Sequence, residues 1–401
     1  MYDLFPEDRD EATLVGRIMT RDGPTPVALR GGRVFDMSRV APTVSELFEV
    51  TGPGEPLPEG RDIGPVDGLD LSAAVGNATG GLLAPIDLQC IKASGVTFAV
   101  SAIERVIEER AQGDARQAGL IRLQIQSRIG ADLAAIRPGS EEAARLKAVL
   151  VGEGLWSQYL EVAIGPDAEI FTKSAVLSAV GTGADVGIRG SSEWNNPEPE
   201  VVMLVDSRGR ARGATLGNDV NLRDIEGRSA LLLGKAKDNN ASCSIGPFIR
   251  LLDEGFTIDD VRGLDVGLTI EGVDGYRLDG ASSMGLISRD PLDLIGQTIG
   301  RDHQYPDGFV LFLGTMFAPV DDRDVPGGGF THKPGDVVRV TNPRLGTLTN
   351  RVVRCEDAPP WTFGVTALMR NLARRGLIGG PDTDPSRDRA IRAGQAMRGG
   401  A

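Results

Sequence analysis

The sequence of 401 residues is short of the side chains that most often hold transition metals or act as nucleophiles, with three cysteines and two histidines. Cys90, Cys243 and Cys355 are odd in number, widely separated and free of any C-x-x-C spacing. That excludes a disulfide framework and a zinc knuckle, and reduced thiols are expected. His303 and His332 lie in polar stretches with no partner at metal or triad spacing, so both are expected at the surface. There is no G-x-S-x-G elbow and no P-loop, and the run from Gly181 to Gly187 lacks the third glycine of a dinucleotide loop. No apolar run approaches the roughly 18 residues that span a bilayer. Residues 1–10 are acidic where a signal peptide would be basic and then apolar, so a cytoplasmic protein is expected. Positive charge is in deficit too: 43 Lys and Arg against 56 Asp and Glu give a net charge of −13. Nucleic acid and anionic membranes are therefore disfavoured as partners.

Glycine is what the sequence has in excess: 53 of 401 residues, about 13% against an average near 7%, which implies many tight turns and strand kinks. The 41% hydrophobic and 25% charged fractions are those of a folded globular chain. Residues 1–80 read as a small N-terminal unit, with a hairpin closed by Gly31 and Gly32 and a short helix from Thr43 to Val50. Residues 52–81, rich in Gly and Pro, read as a linker. The main domain is expected over 82–378 and a charged, frayed tail over 379–401. From Ala102 to about Ala148 the period is helical, with stripes at Ile103, Val106 and Ile107 and at Ile121, Ile125 and Ile129. Strands follow at 169–172, 201–205, 267–270, 310–313 and 337–340. Strands grouped after a helical block, without βα alternation, favour an α+β fold over a doubly wound sheet.

The most informative stretch runs from Glu198-Pro199-Glu200 through Val205, a turn, and on to Asp219. Side chains alternate along a strand, so Glu198 and Glu200 share a face, and both faces farther along are apolar. A hairpin folded about Gly209 and Arg210 would set Glu200 opposite Asp219, about 5 Å apart on that face. Three carboxylates heading into protein cannot all stay ionised without a compensating charge. A divalent cation is the simplest remedy, and all-oxygen ligation suits Mg²⁺ or Mn²⁺. The alternative is an ordinary solvated strand end, and a register one residue off would turn Asp219 to the other face. Only six of the 43 cationic residues are Lys, yet Lys235 and Lys237 fall together, which hints at a compact ammonium near this site. Ser101 and Glu104 match a helix capping box, which would explain both structurally.

As a set, Glu198-x-Glu200, Gly217-Asn218-Asp219-Val220 with Arg223-Asp224, Gly234-Lys235 and Ser244-Ile245-Gly246-Pro247-Phe248 resemble the fumarylacetoacetate hydrolase family. Gly95-Val96-Thr97-Phe98-Ala99 through Glu104, and Phe312-Leu313-Gly314-Thr315, extend the likeness over residues 82–355. The resemblance implies a mixed β-roll, here with a small N-terminal α/β domain, in a homodimer or homotetramer. It implies a Mg²⁺-type ion on Glu198, Glu200 and Asp219, with Lys235, Glu104 and Ser101 as catalytic positions. Phe98, Thr315, Arg223 and Glu226 are implied near the substrate, the last two alternatively as braces for the metal carboxylates. Many hydrolase members carry a histidine where this chain has Ser101, which removes the usual water-activating base. Gly154 to Leu160, Trp194-Asn195-Asn196-Pro197 and Lys237-Asp238-Asn239-Asn240 are closer to the family's sugar-acid dehydratases. The activity so implied is loss of water from a small-molecule 2-keto-3-deoxy sugar acid to give 2-oxoglutarate semialdehyde. Glu104 would take the C3 proton, Lys235 would steady enolate charge and Thr315 would hold the substrate carboxylate. Hydrolysis of an acylpyruvate carbon–carbon bond, and a non-catalytic metal-stabilised binding protein, are the alternatives.

Overall fold

A computed structural model describes residues 4–68, 81–121, 136–152, 154, 156–317, 319, 321–326 and 329–378. In chain order the first strands are β1 (Leu14–Thr20), β2 (Gly23–Arg30), β3 (Arg33–Asp36), β4 (Arg61–Pro65), β5 (Leu82–Leu83), β6 (Cys90–Gly95) and β7 (Glu169–Ser174). The middle of the chain adds β8 (Asp185–Ile188), β9 (Asn195–Asn196), β10 (Pro199–Val205), β11 (Ala211–Asp219), β12 (Asn221–Leu222) and β13 (Cys243–Leu251). The last are β14 (Asp265–Glu271), β15 (Arg277–Ser283), β16 (Phe309–Phe312), β17 (Val337–Asn342) and β18 (Gly346–Arg354). Helices are α1 (Val44–Val50), α2 (Ala99–Arg110), α3 (Glu141–Gly152), α4 (Gln158–Ile164), α5 (Arg223–Glu226), α6 (Leu233–Lys237), α7 (Ile258–Arg262), α8 (Pro291–Thr298) and α9 (Val365–Arg374).

Local sequence explains the elements at the N-terminal end. Gly31 and Gly32 take φ of 55° and 69°, the left-handed pair that a two-residue hairpin turn requires, and Arg30 pairs with Arg33 across it. Thr43 caps α1 by accepting the Glu46 amide at 3.0 Å. These strands are not set apart: β1 pairs with β13, so residues 14–65 extend the large sheet. Residues 61–65, read as linker, are β4, because their backbone completes the ladder of β3. Ile125, Ile129 and residues 379–401 lie outside the described residues.

The large sheet has 11 strands in the order β4-β3-β2-β1-β13-β11-β10-β16-β6-β7, with β5 on β1. Its pairs are antiparallel apart from β16 with β6. A second sheet of 5 strands runs β15-β14-β17-β18-β8, with β18 and β8 parallel. The fold class is α+β with mixed sheets. Every position of β10 is buried, as the uninterrupted Val-Val-Met-Leu-Val run demands of a strand covered on both faces. Val201, Met203 and Val205 pack towards Leu268, Ile270, Val338 and Val340 of the second sheet. Val202 and Leu204 pack with Leu47 and Phe48 of α1 on the other side. The double burial fixes the end of β10, where the acidic pair sits, as a rigid platform. Among the described residues no helix is long and apolar enough to cross a membrane.

Candidate metal centre and its cleft

Glu198, Glu200 and Asp219 are buried, and each offers a carboxylate oxygen within 4.8 Å of the others. The register that brings them together differs from the one read in the sequence. Glu200 stands opposite Gly217 and Pro199 opposite Asn218, while the Asp219 amide donates to the Glu198 carbonyl at 3.0 Å. The turn is the cause: the Asp206 carboxylate accepts the amides of Arg208 and Arg210, both at 3.0 Å, and tightens the reversal into residues 206–210. A bulge between Leu204 and Val205 takes up the remainder. The net slip is two residues. An even slip preserves the face, so Asp219 still joins the two glutamates.

The trio opens into a cleft of about 550 Å³, its mouth included, between α2, the start of β7, the ends of β10 and β11, α5, α6 and the segment after β16. Helix α2 presents Ser101, Glu104, Arg105 and Glu108 to it, a polar stripe at helical spacing. Its other stripe, with Ala102, Ile103, Val106 and Ile107, packs against α3 and α4. Arg105 is the hub of the near wall: it donates to Glu198 at 2.7 Å and to Glu108 at 2.7 Å, and pairs with Glu226 at 2.8 Å. Arg223 is fully buried and holds Glu108 at 2.7 Å, Glu104 at 3.2 Å and the Pro319 carbonyl at 3.2 Å. Its guanidinium lies 4.3 Å from the Trp194 ring centre.

Two lysines serve the acidic trio. Lys237 Nζ bridges Glu198 and Asp219, at 2.9 Å from the latter, and Lys173 Nζ pairs with Asp219 at 2.9 Å. Burial alone would lift the Asp219 carboxyl, but these two ammonium groups hold it below its usual range. Burial likewise works against charge on Lys237, and Asp219, Glu198 and Glu226 overcome it to raise its pKa. Glu200 differs. Its carboxylate accepts the Gly314 amide at 2.6 Å, and among the described residues no cation pairs with it. Burial, then Asp219 and Glu198, push its pKa well up. Glu226 is pushed up to about 7 by burial, against Arg105 and Lys237. The donor set fits a hard divalent cation: three carboxylates with neither histidine nor cysteine among them, one still lacking a compensating charge.

Ser101, Glu104, Thr315, Arg223 and Glu226 therefore line the same cleft as the trio. Lys235 does not. It is exposed on α6, two residues and so about 200° round the helix from Lys237, which turns inward. Phe98 lies outside the lining as well: it is the N-cap of α2 and is buried in the main core. The capping-box reading of Ser101 and Glu104 also fails, because the helix begins three residues earlier. Ser101 caps it from within by accepting the Phe98 amide at 3.2 Å, and Glu104 is left to the cleft. His332 is buried rather than superficial, with Nδ1 at 3.2 Å from Asp336, and His303 is exposed. Neither histidine lines the cleft.

Sequence reasoning passed over Arg105, Glu108, Glu169, Lys173 and Asn196. The rarity of lysine was the usable signal, since two of the six, Lys173 and Lys237, are buried against the carboxylates. The Glu104-Arg105 and Glu108 spacing was the other.

The sequence profile described as fumarylacetoacetate (FAA) hydrolase C-terminal matches residues 161–353. The chain is 31% identical over 226 residues to the 2-dehydro-3-deoxy-D-arabinonate dehydratase of Saccharolobus solfataricus, an alignment covering 56% of this chain and 70% of that protein. It is 32% identical over 194 residues to a protein of Haloferax volcanii described as a probable 2-keto-3-deoxyxylonate dehydratase, covering 48% of this chain and 63% of that one. Among solved structures, 2-keto-3-deoxy-D-arabinonate dehydratase complexed with magnesium and 2,5-dioxopentanoate superposes with a TM-score of 0.60 at 22% identity, over 85% of this chain and 99% of the other. That likeness is one of fold. The profile and the Saccharolobus relative agree, and the chain belongs to the fumarylacetoacetate hydrolase family.

Proposed function

We propose that the protein is a metal-dependent hydro-lyase that converts 2-keto-3-deoxy-D-xylonate, also named 2-dehydro-3-deoxy-D-arabinonate, to 2-oxoglutarate semialdehyde and water. The observation that carries this reading is the pairing of two acidic devices in one cleft. The trio of Glu198, Glu200 and Asp219 would hold the ion, and Glu104 stands apart from it on α2 in the grip of Arg223. A Mg²⁺ or Mn²⁺ ion bound there supplies positive charge for a 2-keto acid and its enolate. Arg223 holds the Glu104 carboxyl at 3.2 Å and orients it in the cleft, where it is the group proposed to take the C3 proton. Ser101, one helical turn before Glu104, lines the same cleft, its hydroxyl donating to the Phe98 carbonyl at 2.8 Å. Lys237, rather than Lys235, is the ammonium placed to steady developing negative charge. Thr315, next to the Gly314 amide that binds Glu200, is placed for the substrate carboxylate.

Residues 82–378 carry this chemistry, and we place the enzyme in the cytoplasm as a homodimer or homotetramer serving pentose breakdown. Incubation with Mg²⁺ and 2-keto-3-deoxypentonate should yield the semialdehyde. Pyruvate and a two-carbon fragment in its place would overturn the assignment in favour of carbon–carbon cleavage. No turnover at all, with Mg²⁺ still raising the melting temperature, would leave a metal-stabilised binding protein.

A further inference from the structure

Away from the metal cleft, the N-terminal strands and α9 enclose a second cavity. It measures about 1170 Å³, its mouth included, and lies between the β1–β2 turn, the segment after β3, the start of β4 and the C-terminal end of α9. Five arginines line it: Arg21, Arg39, Arg61, Arg374 and Arg375. Asp22 and Asp36 are the acidic residues of the lining, which leaves a surplus of three positive charges in a chain whose net charge is −13.

Local structure accounts for part of this cluster. Arg374 and Arg375 stand at the C-terminal end of α9, where the helix dipole favours cations. Arg375 also ties the helix to the hairpin, donating to the Pro24 carbonyl at 2.8 Å and to the Thr25 hydroxyl at 3.1 Å. Arg61 pairs with Asp36 at 2.8 Å. Arg21 and Arg39 have no such account. They come from separate turns and are exposed, and among the described residues no hydrogen bond or ion pair engages either side chain, nor that of Arg374. Burial lowers the Arg375 pKa, Asp36 and Asp22 oppose it, and Arg39 and Arg374 add to the fall, so these guanidinium groups lie within electrostatic reach of one another. Like charges brought together from distant stretches of the chain repel one another, and an anion among them removes that cost.

We propose that this cavity is a binding site for a small molecule that carries two phosphate groups. The planar guanidinium fork matches phosphate oxygens two at a time. Two phosphates carry about three to four negative charges, which meets the surplus. Leu377 is the one apolar side chain of the lining, and among the described residues no aromatic ring joins it, so the phosphates rather than a stacked base are what the site reads. The site shares no lining residue with the metal cleft and is independent of the dehydratase reading.

Titration calorimetry of the full chain with inorganic pyrophosphate in EDTA tests this. With divalent ions removed, the acidic cleft repels an anion, and the heat reports the arginine cavity. Pyrophosphate should bind at a single site, raise the melting temperature and bind more weakly as NaCl is added. Arg21→Ala and Arg39→Ala should each raise Kd roughly tenfold. Both should melt like wild type without ligand, because neither side chain has a partner to lose. Arg301→Ala, at an exposed arginine outside the cavity, should leave Kd unchanged. Orthophosphate should bind roughly tenfold more weakly than pyrophosphate, having half the charge, and adenosine diphosphate no more tightly. Absence of pyrophosphate binding, an unchanged Kd in both cavity variants, or an equal loss in Arg301→Ala would overturn the site. Equal affinity for orthophosphate would overturn the choice of two phosphates, and tighter binding of adenosine diphosphate would overturn recognition by phosphate alone.

Discussion

Lysine 237 offers the sharpest test of how the acidic trio is balanced. Lys237→Met keeps the length of the side chain and removes the ammonium that bridges Glu198 and Asp219. Lys173 then remains on Asp219 and Arg105 on Glu198, but the three carboxylates have lost the cation shared between two of them. Breaking a buried pair by removing one partner costs about 3–5 kcal/mol, because the remaining charge is buried without compensation. For a chain of this length that is a fall of about 4–6 °C in Tm, measured by calorimetry in EDTA. Mg²⁺ at about 100 times its Kd should return about 2.7 kcal/mol to the variant. The increment should be smaller in wild type, where the ammonium occupies the same oxygens. Lys235→Met is the control: its side chain is exposed, and the change should stay within about 0.5 kcal/mol. Equal Tm for the two variants in EDTA, or a Mg²⁺ increment in K237M no larger than that of wild type, would refute the reasoning.

Glu104→Gln should lower kcat by roughly 10²- to 10⁴-fold at near-native Tm, since the amide oxygen can still accept from Arg223; steady-state rates beside a melting curve check both. Burial works to raise the Asp336 pKa, but Arg323, His332 and the Lys333 amide hold it down to about 2. A carboxyl depressed in the folded state stabilises above its unfolded pKa of about 4, and that share is lost as pH falls through about 2. Its size is about 2 kcal/mol, so denaturant midpoints between pH 5 and 2 should fall less steeply for Asp336→Asn than for wild type. Titration calorimetry should detect binding of a 2-keto acid only when Mg²⁺ or Mn²⁺ is present, and Glu198→Ala should abolish it in both conditions.

The legible parts of the fold were those that local rules decide. A Gly-Gly turn closes β2 on β3, and an apolar run covered on both faces makes β10 a central strand. The acidic trio was legible for a subtler reason. Strand side chains repeat every two residues, so a register wrong by two still puts Glu198, Glu200 and Asp219 on one face. The turn geometry set by Asp206 was not readable, because it depends on which backbone amides a carboxylate captures. The choice between Lys235 and Lys237 failed for a similar reason: it is a rotation about a five-residue helix whose phase is fixed by Ala236 packing with Leu222 and Ile225. Glu169 and Lys173 are in the site because β7 pairs with β6, a contact between residues some 80 positions apart. No local pattern encodes that pairing.

Charge ties these residues to one another. Seven carboxylates line the cleft against the three cations Arg105, Arg223 and Lys237, and Lys173 behind Asp219 adds a fourth. If all were ionised the surplus would be three negative charges, in a protein that already carries −13 and for an acid substrate. The surplus appears where burial outweighs the cations: Glu169 and Glu200, which have no ion pair among the described residues, are raised, and Glu226 stands at about 7 despite Arg105 at 2.8 Å. An anion entering such a cleft meets repulsion that neutral hydrogen-bond donors cannot offset at short range. A doubly charged ion at the trio removes most of the surplus at the point of its highest density, and lets an acid substrate approach Glu104. The same balance accounts for the two buried lysines, each of which holds one oxygen of Asp219 while Lys237 also holds Glu198. Glu200 is the one member of the trio with no ion pair among the described residues, and a divalent ion at the trio would supply the charge that favours its carboxylate form.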